Sequence, residues 1–358
     1  MKTIIPTLPS RYINCTAFDA GGMSTIFKCM DSFLERDVII KILQPGSAPK
    51  RILAEINALQ QIRSKHVVQI FERLQLPNGD IAIIEEFIDG KTLNNQIPEE
   101  HYFKIIYQLA AALHEIHEHE IIHRDIKPDN FKIDNEGVLK VFDFGLAKST
   151  MDAKTIGFNG TFVFAAPELY SDKTVSFTKK IDVYAFGITC IYFLLGEKEF
   201  FNRIKSFTMP PFKLDFSFSE KNFLSISNPE LCTLLARSIS KNPDERPEME
   251  EIFNELRKKL IFGKHRGIMV NGTNSYVLDQ VGKRITLSYR DLGSCKMFYD
   301  GNDFYIEEPI GEIYVNATHI KSTFKIPSSC LITIGSDQRS SSERAFVPFD
   351  SANPEVVL

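Results

Sequence analysis

The chain has 358 residues, 43% of them hydrophobic and 25% charged, with a formal net charge of −4. That length suggests about two or three domains, and the composition is that of an ordinary folded protein. The slight negative charge gives no general pull toward nucleic acid or an anionic membrane, so neither is expected as a partner.

Residues 1–11 form an N-terminal segment. Met1-Lys-Thr-Ile-Ile-Pro-Thr-Leu-Pro9 lacks the long apolar core of a signal peptide. Residues 12–90 read as short strands around one helix. The β-rich runs are Ile26-Phe27, Val38 to Leu43, Val67 to Phe71 and Ile81 to Phe87. Between them, Ile52, Ile56, Leu59 and Ile62 repeat at helical spacing, which predicts a helix over Lys50 to Arg63. Residues 101–122 form a long helix. Its His114, His117 and His119 read as a solvated helix end rather than a metal cluster. Residues 179–197 are apolar nearly all round, as a buried helix should be, and 228–261 supply the closing helices.

After a linker at 263–267 the helical period disappears. Residues 268–348 hold short alternating runs: Ile268 to Val270, Tyr276 to Leu278, Arg284 to Ser288, Lys296 to Tyr299, Asp303 to Ile306, Glu312 to Val315 and Cys330 to Ile334. Gly, Asn and Asp punctuate them, which predicts a β-sandwich. Residues 349–358 are expected to be a frayed tail. No run of about 18 apolar residues occurs, so no transmembrane helix is expected. The six cysteines contain no Cys-x-x-Cys pair and read as reduced residues of a cytoplasmic protein.

Chemistry concentrates in His123-Arg-Asp-Ile-Lys-Pro-Asp-Asn130, followed by Asp143-Phe-Gly145. Phosphoryl transfer needs an acceptor for the hydroxyl proton, metal ligands that bridge phosphates, and a cation on the moving charge. Asp125 can be the base, Asn130 and Asp143 the metal ligands, and Lys127 the cation. Upstream lie a Gly21-Gly22 loop, a strand lysine at Lys41 and a helical Glu55. Downstream lie Ala166-Pro-Glu168, Asp182 and Arg246. In this order the pieces resemble a eukaryotic-like, bacterial-type serine/threonine protein kinase over residues 12–262.

The resemblance implies an α+β, bilobal protein kinase fold, with the small lobe over 12–90 and the large lobe over 91–262. It implies ATP and Mg2+ as cofactors and protein Ser/Thr hydroxyls as acceptors. Gly21, Gly22 and Ile26 would cover the nucleotide, Lys41 held by Glu55 would meet its phosphates, and Glu86 and Ile88 would carry the adenine. Asp19, in place of the first loop glycine, is a departure. So is Glu85, which falls where an apolar residue is usual; a one-residue offset in the alignment is the other reading. Thr161 would contact Asp125 and Lys127, and Glu168 would pair with Arg246. Thr150 and Thr155 are candidate phosphorylation sites facing Arg124.

Residues 268–348 resemble a forkhead-associated domain, itself an all-β sandwich. The positions that should bind phosphothreonine appear as Asp279, Leu292, Cys295 and Gly311, none of them a phosphate ligand. That implies a degenerate forkhead-associated-like module used for docking a protein partner or for autoregulation; an unrelated β-sandwich is the alternative. For the whole chain, an active kinase is set against a pseudokinase scaffold, which Asp19 and Glu85 would favour.

Overall fold

A computed structural model describes residues 7–21, 24–43, 56–57, 59–93, 96–144, 161–170, 177–208, 213–216, 220–223, 228–352 and 354–356. The chain divides into two compact units between Leu256 and Arg257. The division falls inside the helix Met249–Ile261, ahead of the linker expected at 263–267.

The first unit begins with five strands: β1 (Tyr12–Gly21), β2 (Ser24–Asp31), β3 (Arg36–Leu43), β4 (Ile70–Gln75) and β5 (Ile81–Glu86). They form an antiparallel sheet in the order β1-β2-β3-β5-β4. The period of two sorts β3 cleanly. Val38, Ile40 and Ile42 pack with Phe27, Cys29, Ala82 and Ile84 on one face. Ile39 and Lys41 therefore take the other face. Of the helix expected over 50–63, Ile56, Asn57 and Leu59 are helical, and Ile56, Leu59 and Ile62 are buried as predicted. Residues 50–55, Glu55 among them, lie outside the described residues.

Cys15 and Cys29 correct one expectation. Antiparallel pairing of β1 with β2, shifted between Ile13 and Thr16, brings their Cα atoms to 4.1 Å and they are disulfide-bonded. Cys190, Cys232, Cys295 and Cys330 are free. The pairing depends on strand register, which the 14-residue separation does not reveal.

The large lobe opens with the short β6 (Gly90–Lys91), then α1 (Glu99–Glu118). Tyr102, Ile105, Ile106, Leu109, Leu113 and Ile116 line the buried stripe of α1, and Glu99 and Glu100 suit the positive end of its dipole. The helix stops before the expected 122, where Glu120 turns into the left-handed region at φ 56°. Strands β7 (Phe131–Asp134) and β8 (Leu139–Val141) then pair, with β6 on the outer edge of β7. Helix α2 (Lys180–Leu195) is buried almost throughout, followed by the short α3 (Glu197–Asn202). A hairpin of β9 (Ile204–Thr208) and β10 (Lys213–Phe216) was not foreseen. Helices α4 (Pro229–Ser238) and α5 (Met249–Ile261) follow, α4 capped by the Asn228 side chain.

The second unit holds ten strands in two sheets. One has the order β12-β11-β20-β19-β16-β17, from β11 (Arg266–Asn271), β12 (Asn274–Leu278), β16 (Ile313–Val315), β17 (Thr318–His319), β19 (Ser329–Ile334) and β20 (Ala345–Ala352). The other has the order β13-β14-β15-β18, from β13 (Arg284–Tyr289), β14 (Gly293–Tyr299), β15 (Phe304–Gly311) and β18 (Phe324–Lys325). Met269, Val347 and Phe349 of the first share a core with Leu287, Met297 and Ile306 of the second, so the sheets form a sandwich.

The tail expected from 349 is corrected here. β20 runs to Ala352 between β11 and β19, with Ala345, Val347 and Phe349 buried. The alternation that fixes it is short and interrupted by Pro348, which sits on the exposed side.

Candidate active site

Two turns of the large lobe and one face of the small-lobe sheet converge on a cavity of about 260 Å³. Its walls include Ile26, Ile39, Val68 and Ile88, and its charged groups are Lys41, Glu85, Lys127 and Asp143, with Asn130 beside them. A second hollow, near Gln96 and Glu197, holds none of the expected residues.

The first turn follows α1. The buried carboxylate of Asp182, on α2, accepts the backbone N–H of His123 at 2.7 Å and of Arg124 at 2.9 Å. It also meets His117 Nε2 at 3.1 Å. Burial pushes the Asp182 carboxyl up, but the His117 bond and the neighbouring charge hold it below the usual carboxylate range. His117 is thus a buried clamp on this turn, which corrects its reading as part of a solvated helix end. Arg124 is held at φ 71°, a conformation that costs an L residue free energy and persists because its surroundings fix it. His123 Nε2 donates to the Phe142 carbonyl oxygen at 3.1 Å, and its ring lies 4.6 Å from that of Phe144. Burial lowers its imidazole below the ordinary value, which favours the neutral ring and hence donation to that carbonyl.

These contacts set the next residues. Asn130 Nδ2 donates to the Asp125 carbonyl oxygen at 2.7 Å and to its Oδ2 at 3.1 Å. Lys127 Nζ lies 3.1 Å from the same Oδ2. A carboxylate, an ammonium and an amide nitrogen therefore meet within one hydrogen-bonded group. Phe142 N–H donates to the Asn130 carbonyl at 3.0 Å, tying this turn to Asp143.

Asp143 stands at φ 59°, half-exposed, with its carboxylate turned to the cavity. Lys41 Nζ donates to Oδ1 at 2.7 Å. Burial pushes the Asp143 carboxyl up, yet the Lys41 ammonium holds it below its ordinary value. On the opposite strand, Glu85 Oε1 lies 3.9 Å from Lys41 Nζ. Ile39 pairs with Glu85 and Lys41 with Ile83, so Lys41 and Glu85 share the cavity face of the sheet. The one-residue offset is thereby removed: Glu85 itself lines the cavity. Burial raises its carboxyl above the usual range against the pull of Lys41. The Lys41 ammonium is raised in turn, the two carboxylates outweighing the desolvation that burial imposes.

Glu86 points its side chain elsewhere. Its carboxylate meets Lys140 Nζ at 2.9 Å, and both Glu86 and buried Ile88 border the cavity. Asp89 accepts from Asn135 Nδ2 at 2.9 Å. Gly21 ends β1 opposite Ser24, and Ile26 reaches the wall. Gly22, Glu55, Thr150 and Thr155 lie outside the described residues, as do the side chains of Asp19 and Thr161. Away from the cavity, Arg246 is fully buried and grips Glu168 in a bidentate pair at 2.7 and 2.8 Å.

The donor set suits a hard divalent cation. Asp143 and Asn130 offer carboxylate and amide oxygens, and among the described residues no sulfur or imidazole lines the same cavity. Two ammonium groups, those of Lys41 and Lys127, line the same cavity. Of the residues in the second unit at the positions expected for phosphothreonine, Leu292 packs on the core, Cys295 is buried, and Asp279 lies 3.6 Å from Lys283. Gly311, at φ 77°, is so close to Leu292 that a Cβ would lie 2.2 Å from that carbonyl oxygen.

Residues 17–256 match the model of the protein kinase domain. The chain is 28% identical over 282 residues to the serine/threonine-protein kinase PknB of Mycolicibacterium smegmatis, covering 71% of this chain and 43% of that protein. It is 30% identical over 207 residues to the serine/threonine-protein kinase PrkC of Bacillus subtilis, covering 54% and 32%. A serine/threonine-protein kinase stk11 homolog of Dictyostelium discoideum is 30% identical over 214 residues, covering 54% and 36%. The chain thus spans less than half the length of these curated relatives. Among the described residues no helix is long and apolar enough to cross a membrane. With two-thirds of its length matched to the domain, the chain belongs to the protein kinase family, which uses ATP with a divalent metal.

Proposed function

We propose that the chain is an active serine/threonine kinase that moves the γ-phosphoryl group of ATP, with Mg2+, to protein hydroxyls. The observation that carries this is the joint presence of Asp125, Lys127 and Asn130 in one hydrogen-bonded group, facing Lys41 and Asp143 across the cavity. In this reading Asp125 accepts the proton of the substrate hydroxyl. Lys127, 3.1 Å from it, neutralises charge on the transferring oxygens. Lys41 meets the inner phosphates, and Asn130 and Asp143 hold the metal. When bound, the metal screens the charge that develops on the phosphates. The backbone of Glu86 and Ile88 carries the base, and Gly21, Gly22 and Ile26 cover it. Lysine two residues past Asp125 supports Ser/Thr acceptors, as does the similarity to serine/threonine-protein kinases. Thr150 and Thr155 are proposed autophosphorylation sites.

The second unit we read as a forkhead-associated-like sandwich that docks a protein partner without binding phosphate, because Leu292, Cys295 and Gly311 offer no cation or donor there. A scaffold without transfer is the competing reading, and the charged wall at Glu85 favours it. The test is incubation of the full chain with labelled ATP and Mg2+, alone and with a general protein substrate. Label on serine or threonine is expected. Label on tyrosine only, or none from a folded protein that binds ATP, would contradict the proposal.

A further inference from the structure

Glu85 has no part in the roles assigned above, yet it is buried in the cavity wall. A carboxylate taken out of water on a strand costs free energy unless a partner offsets it. Its partner is Lys41, 3.9 Å away. Lys41 in turn has a second, tighter partner in Asp143 at 2.7 Å. The two carboxylates differ in their surroundings. Asp143 sits on a turn and its side chain is 50% exposed, whereas Glu85 is 11% exposed and fixed by the β3–β5 ladder. They also differ in their other duties. In the kinase reading, on which this inference rests, Asp143 gives its oxygens to the divalent metal. A metal on those oxygens competes with the Lys41 ammonium, since two cations on one carboxylate repel.

We infer that Glu85 is a positioning residue for Lys41. It keeps the ammonium aimed into the cavity when Asp143 turns to the metal. The lysine is handed from one carboxylate to the other within the same pocket, without crossing solvent. Because Glu85 lies on the same sheet face, diagonal to Lys41, this requires only a side-chain adjustment along that face.

The experiment uses the full chain and its Glu85→Gln and Glu85→Asp variants, with a fluorescent ATP analogue titrated in EDTA and again in Mg2+. Without metal, Asp143 still holds Lys41, and Glu85→Gln is expected to lose less than about threefold in affinity. With Mg2+ the loss is expected to reach about tenfold or more, in line with breaking one partner of a buried ion pair. Glu85→Asp, which keeps the charge on a shorter stem, should fall between wild type and Glu85→Gln, and it carries the test if the glutamine variant does not fold. A readout independent of nucleotide is acetylation of Lys41 by a succinimidyl ester, followed by mass spectrometry. Losing a counter-charge lowers the lysine pKa, so Glu85→Gln should react about threefold faster.

Equal losses with and without Mg2+ would overturn the inference, since Glu85 would then act on the ligand directly. So would an unchanged Lys41 reactivity, or a Glu85→Asp variant no better than Glu85→Gln. Wild type that binds no nucleotide in either condition would overturn the kinase reading beneath it as well.

Discussion

The two units treat their interiors in opposite ways. The kinase unit buries His66, Glu85, His117, His123, Asp125, Asn130, Asp182 and Arg246; Glu85 and Asn130 line the cavity, and Asp182, His117 and His123 brace the turn that carries Asp125. Among the described residues of the sandwich, His265 is the one polar side chain buried to that degree, and its backbone N–H and ring are satisfied by Tyr299 Oη. Left-handed backbone occurs in both units: Arg124 and Asp143 adopt it beside the cavity, Asn14, Glu35 and Glu120 elsewhere in the kinase unit, and Arg290, Glu308, Asn316 and Ala317 in the sandwich. Buried polar groups and strained residues both cost stability, and a fold retains them where they do something. The difference concentrates buried polar groups in the first unit and leaves the described core of the sandwich almost wholly apolar.

The largest expected effect attacks the cavity. Asp143→Asn removes a charge that both the metal and Lys41 use, and phosphoryl transfer should fall by about 10²–10³-fold, read as initial rate against Mg2+ concentration. A loss recovered at high Mg2+ would show that the carboxylate acts through metal affinity alone. The next breaks a polar group that is buried but far from the cavity. Glu168→Gln leaves the fully buried Arg246 without its bidentate partner, and should cost the kinase unit about 3–5 kcal/mol in denaturant unfolding. The sandwich transition should not move.

The third turns to the other unit. Phe349→Ala empties the sandwich core and should cost that unit about 3–5 kcal/mol, while transfer to a general substrate stays near wild type. A matching fall in basal transfer would erase the contrast drawn here.

The smallest effect is a pH dependence. Burial lowers the His66 imidazole to about 4 from its ordinary 6.5, and the neutral ring donates from Nδ1 to the Leu139 carbonyl oxygen at 3.0 Å. The unfolded chain therefore takes up a proton first as pH falls. The stability His66 contributes is full above about 6.5 and declines as pH drops from there toward 4, by on the order of 1–3 kcal/mol. His66→Gln should flatten that part of the stability–pH curve.

What the sequence made legible follows from how local each signal is. Asp125, Lys127, Asn130 and Asp143 announce themselves by spacing within two short segments, because one turn must present them together. The strands around Lys41 were legible from β-rich runs, and α1 and α2 from their burial patterns. Glu85 was visible as a position, but its pairing with Lys41 depends on the β3–β5 register. The Cys15–Cys29 bond and the grip of His117 on Asp182 depend likewise on long-range placement. β20 was missed although Ala345, Val347 and Phe349 alternate, because a proline and the nearby chain end imitate a frayed tail.

The central claim is tested most directly by comparing wild type with Asp125→Asn for transfer of labelled phosphate from Mg-ATP, with labelled residues mapped and nucleotide binding measured in parallel. The account predicts label on serine or threonine in wild type. It predicts a fall of about 10²–10⁴-fold in Asp125→Asn with ATP binding retained. Equal transfer by both proteins, or none by a wild type that binds ATP, would contradict it.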